Sequence, residues 1–325
     1  LALDSFLRRE IDVGSFPGAS YVCDGREGAL GLAVAVPARI EATVDTVYDC
    51  ASITKTLITA PLILQAVAEG TIKLDDEYRG YTFRELLTHS SGLRDWLPTY
   101  ALGGPLAAIE AYGPEYPRGT KVVYSDLNFF LLYYAVCELF GDYIAAARSR
   151  IFDRLGLRDA CFRPSAALLP RIAATEWGQR FEAGMCRARG FPFQGFRQGL
   201  MWGEVNDGNS FHAGGTLGNA GLFATARDVH TIASAFARGE LVPLELAREA
   251  TRVQIGDRGL AWKIGGPGLS SRSWGHTGFT GTSVWVDDDR VFVLLTNRVH
   301  PCAAPIAMER IRGEFHRLCR VDRSA

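Results

Sequence analysis

Strand-like patterning in this chain is confined to its two ends, and what lies between reads as helix. Near the start, Leu3, Phe6, Leu7 and Ile11 alternate with Asp4, Arg8, Arg9 and Glu10 as on an amphipathic helix. Phe16-Pro17-Gly18 then breaks that pattern, and residues 19–23 and 29–36 read as two strands joined by a turn at Asp24-Gly25. The far end mirrors this: residues 259–264, 271–274, 282–286 and 291–296 read as strands, with a turn at Asp287-Asp288-Asp289, and residues 303–320 return as a helix. Between them, residues 54–69, 83–87, 127–140 and 226–238 carry helical periodicity, separated by Pro/Gly-rich turns. The expected fold is α/β (α+β): one antiparallel sheet built from both ends of the sequence, flanked by terminal helices. Residues 1–58 and 250–325 would form this sheet domain, and residues 59–249 a mostly helical insert.

Composition narrows the function. A 325-residue chain with 47% hydrophobic content can bury a large core. Its 35 basic and 36 acidic residues give a net charge of -1, which offers no reason to expect nucleic acid or an anionic membrane as partner and favours a small, weakly charged substrate. The longest apolar stretch, residues 129–137, is about half the ~20 residues a membrane helix needs and reads as a buried helix rather than a span. The seven cysteines are scattered, without a C-x-x-C pair, and predict neither a disulfide framework nor a zinc site. Unpaired cysteines favour a reducing, cytoplasmic compartment, although a first residue other than Met also fits a signal peptide already removed. Oligomeric state leaves no readable signature.

Three short segments carry chemistry. Ser52-Ile53-Thr54-Lys55 places an amine one helical turn behind a hydroxyl, as a nucleophilic serine requires. With four lysines and sixteen serines, about 0.2 such pairs are expected by chance at this composition. Ser52 as a plain N-cap is the competing reading. The two readings overlap, because the positive end of a helix favours an alkoxide and supplies a backbone N–H to an oxyanion. Tyr124-Ser125-Asp126 presents a phenol, a hydroxyl and a carboxylate just before an apolar helix, where an Asp or Ser cap is again the alternative. Gly275-His276-Thr277-Gly278-Phe279-Thr280-Gly281 lies at a strand edge, its glycines allowing a ligand close to the backbone.

Taken in order, S-x-x-K, Y-S-[ND] and [KH]-T-G resemble the motifs of class C β-lactamases and their carboxylesterase, DD-peptidase and D-aminopeptidase relatives. The resemblance extends through YDCASITKTL, TFRELLTHSSGL, PRGTKVVYSDLNFFLL, GNAGLFATARDV and WGHTGFTGTSVWVD, and so covers nearly the whole chain. It implies that Ser52 attacks a carbonyl to form an acyl-enzyme that water hydrolyses, with Lys55 and Tyr124 handling the proton. It implies an oxyanion hole made by the backbone N–H groups of Ser52 and Phe279, and a substrate-binding role for Asp126, His276, Thr277 and Gly278. No cofactor and no metal follow from it.

Two departures refine this picture. Many relatives carry Asn where this chain has Asp126, and a carboxylate beside Lys55 favours the ammonium, a poor base. Tyr124 is then the expected acceptor of the Ser52 proton. His276 stands where dedicated β-lactamases have lysine, which predicts a site without a permanent cation and shifts the expected substrate towards neutral esters or D-amino-acid derivatives. Phe181, Phe191, Phe193, Phe196 and Trp202, with Trp96 and Trp274, are either a pocket lining or ordinary packing. His89 reads as part of a structural turn rather than as a base. Glu204 and Asp207 lie in a polar loop that lacks the histidine motif of a metal site. The expected function is a serine hydrolase acting on carboxylic esters or amides, with β-lactamase, DD-peptidase or D-aminopeptidase as alternatives. A penicillin-recognising sensor that acylates without turnover is the alternative from another class.

Overall fold

The computed structural model describes residues 2–23, 25–304 and 306–321. In chain order its strands are β1 (Gly18–Cys23), β2 (Arg26–Val34), β3 (Ile40–Glu41), β4 (Tyr48–Asp49), β5 (Glu77–Tyr78), β6 (Tyr81–Thr82), β7 (Phe223–Ala224), β8 (Lys263–Ile264), β9 (Trp274–Thr277), β10 (Ser283–Asp287) and β11 (Arg290–Thr296). Seven of them form one sheet in the order β3-β2-β1-β11-β10-β9-β8, each pair antiparallel. The two ends of the sequence meet between β1 and β11, where Ala19 faces Thr296 and Cys23 faces Phe292. The small pairs β4 with β7 and β5 with β6 lie outside this sheet.

The sheet is covered on both faces, which explains why β11 reads as an unbroken apolar run instead of alternating. Phe292 and Leu294 pack with Leu3, Phe6 and Leu7 of the helix Ala2–Asp12 and with Ile311, Phe315 and Leu318 of the helix Met308–Val321. Val293 and Leu295 face the other way, into the main core with Val229, Ile232 and Phe236 of the helix Ala226–Ala237. The helix Asp126–Phe140 is buried along most of its length against the helical stretch 53–68 that follows Ser52. Among the described residues no single helix is long and apolar enough to cross a membrane.

Several expected boundaries move, each for a local reason. The strand expected over 259–264 shrinks to Lys263–Ile264, because Ala261 adopts a left-handed φ of 71° while its N–H donates to Leu87 O (2.8 Å), and Leu260, Ala261 and Trp262 plug the core. The strand expected over 271–274 begins instead at Trp274, and the returning helix begins at Met308 rather than at 303. Asp24 of the expected Asp24-Gly25 turn and Pro305 of the expected helix lie outside the described residues. The cysteine reading is corrected outright: Cys23 at the end of β1 and Cys319 on the last helix form a disulfide, Cα atoms 5.8 Å apart, across a sequence separation of 296 that hid the pairing. Cys50, Cys137, Cys161, Cys186 and Cys302 are free.

Candidate active site

Ser52 sits in the turn that carries the chain from β4 into the helical stretch beginning at Ile53. The turn is tight: Ala51 adopts a φ of 46°, held there by its N–H donating to Asp49 Oδ1 (2.9 Å). A non-glycine residue in this region is uncommon and costs energy, so the neighbouring structure must impose it. Asp49 Oδ2 also accepts from the Asn206 N–H (2.7 Å), tying the turn to a second loop. Burial pushes the Asp49 carboxyl up to about 6, against the opposing pull of those two N–H groups.

Lys55 lies one turn behind Ser52 and is fully buried. Its Nζ contacts Ser52 Oγ (2.9 Å), Asn219 O (3.0 Å) and Asp126 Oδ1 (2.7 Å), one acceptor for each ammonium proton. Burial alone would lower the lysine pKa, but Asp126, and after it Tyr124, outweigh burial and hold it above the ordinary lysine range. In this arrangement Lys55 Nζ donates to Ser52 Oγ.

Tyr124 arrives from the loop before the helix Asp126–Phe140. Its ring lies between two imidazoles, His89 at 4.6 Å and His276 at 5.5 Å between centroids, with Lys55 Nζ 5.1 Å and the Arg258 guanidinium 5.3 Å from its centre. Both histidines are buried, and burial, then Arg258, then Lys55, keep them well below the ordinary histidine range, hence neutral. His276 Nδ1 lies 2.8 Å from Thr277 O, and His89 Nδ1 accepts the Ser125 N–H (3.1 Å). His89, read from sequence as a turn residue, does adopt a left-handed φ of 56°, but it also supports the Tyr124 ring. Only the side-chain contact reveals that second role.

The turn that follows β9 is bound to the segment preceding Ser52 by hydroxyls: Thr280 Oγ1 donates to Asp49 O (2.8 Å) and Thr282 Oγ1 to Cys50 O (2.9 Å). Gly278 is what permits this approach, since a Cβ there would lie 2.7 Å from Cys50 O and 2.1 Å from Thr282 Oγ1. Among the described residues, the N–H groups of Ser52 and Phe279 donate to no protein acceptor. The Phe279 carbonyl, in the peptide that follows, accepts from Arg298 Nε (2.7 Å).

Two cavities open from Ser52. One, of about 430 Å³, is lined by Ser52, Tyr124, His276, Thr277, Gly278 and Phe279 and by four cations, Arg258, Lys263, Arg298 and Arg312. This corrects the expectation of a site without a permanent cation: the charge absent at His276 is delivered by side chains from other segments. Lys263 and Arg258 share Asp257 (3.9 and 3.3 Å), whereas among the described residues Arg298 and Arg312 donate to main-chain carbonyls, Phe279 O and Ala304 O for one and Thr282 O for the other. Burial, and then the Arg298 charge, push the buried Arg312 guanidinium down to about 10, so it is still charged at neutral pH. The second cavity, of about 330 Å³, is lined by Ser52, Tyr124, Phe279, Trp96, Phe181 and a set of carboxylates. Of the expected aromatic lining only Trp96 and Phe181 face it. Trp274 packs in the core 4.7 Å from Trp262, and Trp202 donates its indole N–H to Ile172 O (2.8 Å). Glu204 pairs with Arg197 (3.4 Å).

Residues 3–314 match the model of the Beta-lactamase family. An Escherichia coli (strain K12) protein named "Putative D-alanyl-D-alanine carboxypeptidase" is 28% identical over 319 residues, covering 82% of this chain and 72% of the relative. Among solved structures, a class C beta lactamase superposes with a TM-score of 0.73 at 18% identity, covering 98% of this chain and 97% of the other. The octameric penicillin-binding protein homologue from Pyrococcus abyssi superposes with a TM-score of 0.70 at 20% identity, covering 95% and 76%. At those identities the two structures speak to the fold.

Proposed function

The chain belongs to the beta-lactamase family and is a serine hydrolase; from that premise we propose that Ser52 acylates on amides whose leaving amine carries a carboxylate, as in a peptide ending in a D-amino acid. The observation that carries this reading is the cation-rich cavity beside Ser52. Arg298 and Arg312 stand there near enough to repel each other, with carbonyls rather than carboxylates as their direct partners, so an incoming carboxylate supplies the missing counter-charge. The name of the Escherichia coli relative points to the same substrate class.

In this proposal the Ser52 oxygen attacks the amide carbon while its proton passes to Tyr124, whose ring lies 5.1 Å from the Lys55 ammonium. The carbonyl oxygen, now negative, accepts from the N–H groups of Ser52 and Phe279, which the surrounding fold leaves free for it. Collapse breaks the C–N bond, Tyr124 returns the proton to the departing amine, and Ser52 is left as an ester. Water then repeats the sequence, its proton again taken by Tyr124, and hydrolysis frees the acid and regenerates the serine. Thr277, on the wall shared with the cations, would help hold the leaving carboxylate, and Asp126 keeps Lys55 charged.

The test is a panel: N-acetyl-D-alanyl-D-alanine, the same compound with its carboxylate amidated, p-nitrophenyl butyrate and a chromogenic cephalosporin, each with wild type and Ser52→Ala. The expected result is turnover of the free-acid peptide, lost in Ser52→Ala, with kcat/KM reduced about 10- to 100-fold by amidation. Equal rates on acid and amide, or ester turnover with no peptide turnover, would sink the leaving-group assignment. A burst of one equivalent without turnover would instead favour a sensor.

A further inference from the structure

Ser52, Tyr124 and Phe279 are the residues common to both cavities, so the reacting carbonyl sits at the junction of two compartments of opposite charge. The second compartment is lined by Asp95, Asp126, Glu182 and Asp207. Two of these are neutralised by ion pairs, Asp126 by Lys55 (2.7 Å) and Asp95 by Arg189 (2.7 Å). Glu182 and Asp207 are not. Glu182 accepts from Gln179 Nε2 (2.7 Å), the Tyr100 hydroxyl (3.0 Å) and the Gly208 N–H (2.7 Å), and Asp207 accepts the Ser210 N–H (2.7 Å). These donors are all neutral, and among the described residues no cation pairs with either carboxylate.

These contacts also start the short helix Gly208–His212, and on their own they would suit a structural role. A second observation points to a ligand. Asn206, only 6% exposed, lines the same cavity, and its side-chain Nδ2 has no hydrogen-bond partner among the described residues. Its own backbone N–H is fixed on Asp49 Oδ2 beneath the nucleophile turn, so the side chain is held in place while its donor goes unused. A buried amide donor without an acceptor is costly unless an arriving group supplies one.

We infer that this compartment receives a primary ammonium carried by the acyl half of the substrate, with Glu182 and Asp207 as its counter-charge and Asn206 donating to a neighbouring acyl oxygen. The inference rests on the acyl-transfer reading above and deepens it: the substrate lies across Ser52 with its positive end on the Glu182 side and its negative end on the Arg312 side. Either an α-amine or a side-chain amine supplies that chemistry.

Three acyl groups separate the possibilities: D-alanyl, N-acetyl-D-alanyl and Nα-acetyl-D-lysyl, each joined to D-alanine and, in a second series, to p-nitroaniline, which carries no carboxylate. For the wild type, kcat/KM is expected to be about 10- to 100-fold higher for one of the two amine-bearing groups than for N-acetyl-D-alanyl, in both series. Which one wins identifies the amine. In Glu182→Gln and Asp207→Asn, each of which keeps a hydrogen-bonding side chain, that ratio is expected to fall towards one, with the thermal midpoint recorded to confirm folding. A wild type that handles N-acetyl-D-alanyl as well as either amine overturns the inference, as do variants that slow all three acyl groups equally. Because the anilide series does not depend on a leaving carboxylate, an amine preference seen there alone upholds this inference while refuting the leaving-group assignment. Failure to turn over either series refutes both.

Discussion

Replacing Asp126 by Asn removes the carboxylate 2.7 Å from Lys55 Nζ while keeping the side chain's size. The ammonium is then buried with neutral acceptors alone, Ser52 Oγ, Asn219 O and the amide oxygen of the new side chain, and burial, already the largest influence on Lys55, goes unopposed by a carboxylate charge. Breaking such a pair typically costs about 3–5 kcal/mol. Lys55 has one escape, which is to lose its proton, and that sets a ceiling: from an ordinary pKa near 10.4, deprotonation costs about 4.6 kcal/mol at pH 7 and about 1.9 kcal/mol at pH 9. The loss of stability should therefore be about 3–4.5 kcal/mol at pH 7 and no more than about 2 kcal/mol at pH 9. The signs follow from linkage. In the wild type the folded pKa is raised, so the contribution of Lys55 is present below the unfolded value and is lost only in strongly alkaline solution. In the variant the folded pKa falls below the unfolded one, so protons leave on folding and stability rises with pH. Urea denaturation followed by tryptophan fluorescence at both pH values measures the difference. A deficit below about 1 kcal/mol at pH 7, or one that stays the same at pH 9, would refute the description of Lys55 as a buried cation that depends on Asp126.

Three further outcomes follow from the same geometry. Tyr124→Phe should lower kcat by about 10²- to 10⁴-fold in steady-state assays with little change in thermal midpoint, and a near-normal rate would return the base role to Lys55. Gly278→Ala drives a Cβ into Thr282 Oγ1 and Cys50 O, so the β9 end should be pushed off the nucleophile turn and kcat should fall about 100-fold or more, as for loss of an oxyanion donor. An unchanged kcat would mean that Phe279 N–H is not used. Arg312→Met should remove most of the discrimination between the free-acid peptide and its amide, seen as a rise of about 10-fold or more in KM for the acid alone. A purely structural Arg312 would change both substrates together.

Sequence made Ser52 and Lys55 legible as a pair because they are local, separated by one helical turn, and the acid at 126 that the sequence reading set beside Lys55 does lie 2.7 Å from its Nζ. The same holds for the sheet: β1, β2, β10 and β11 announce themselves as apolar runs between turn residues. What failed was long-range. The missing lysine at 276 was read as a missing charge, yet Arg258, Arg298 and Arg312 come from three separate segments, and no local pattern says that they converge on Ser52. The Cys23–Cys319 pair was illegible for the same reason. Glu182 and Asn206 carry no motif at all; their interest lies in hydrogen bonds they do or do not make.

The threonine tethers that hold the turn after β9 to the segment preceding Ser52 also set a schedule. Thr282 reaches Cys50 across 232 residues of sequence. At about 5–20 residues per second, the far wall of the site is synthesised roughly 12 to 45 seconds after the serine. During that interval a growing chain holds Ser52 and, from residue 126 onward, both partners of the buried ion pair, but neither the Phe279 donor nor Arg298, just past β11, nor Arg312 of the last helix. Activity should therefore appear in a single step once synthesis has passed the helix Met308–Val321, and a chain interrupted before β9 should be silent rather than weakly reactive.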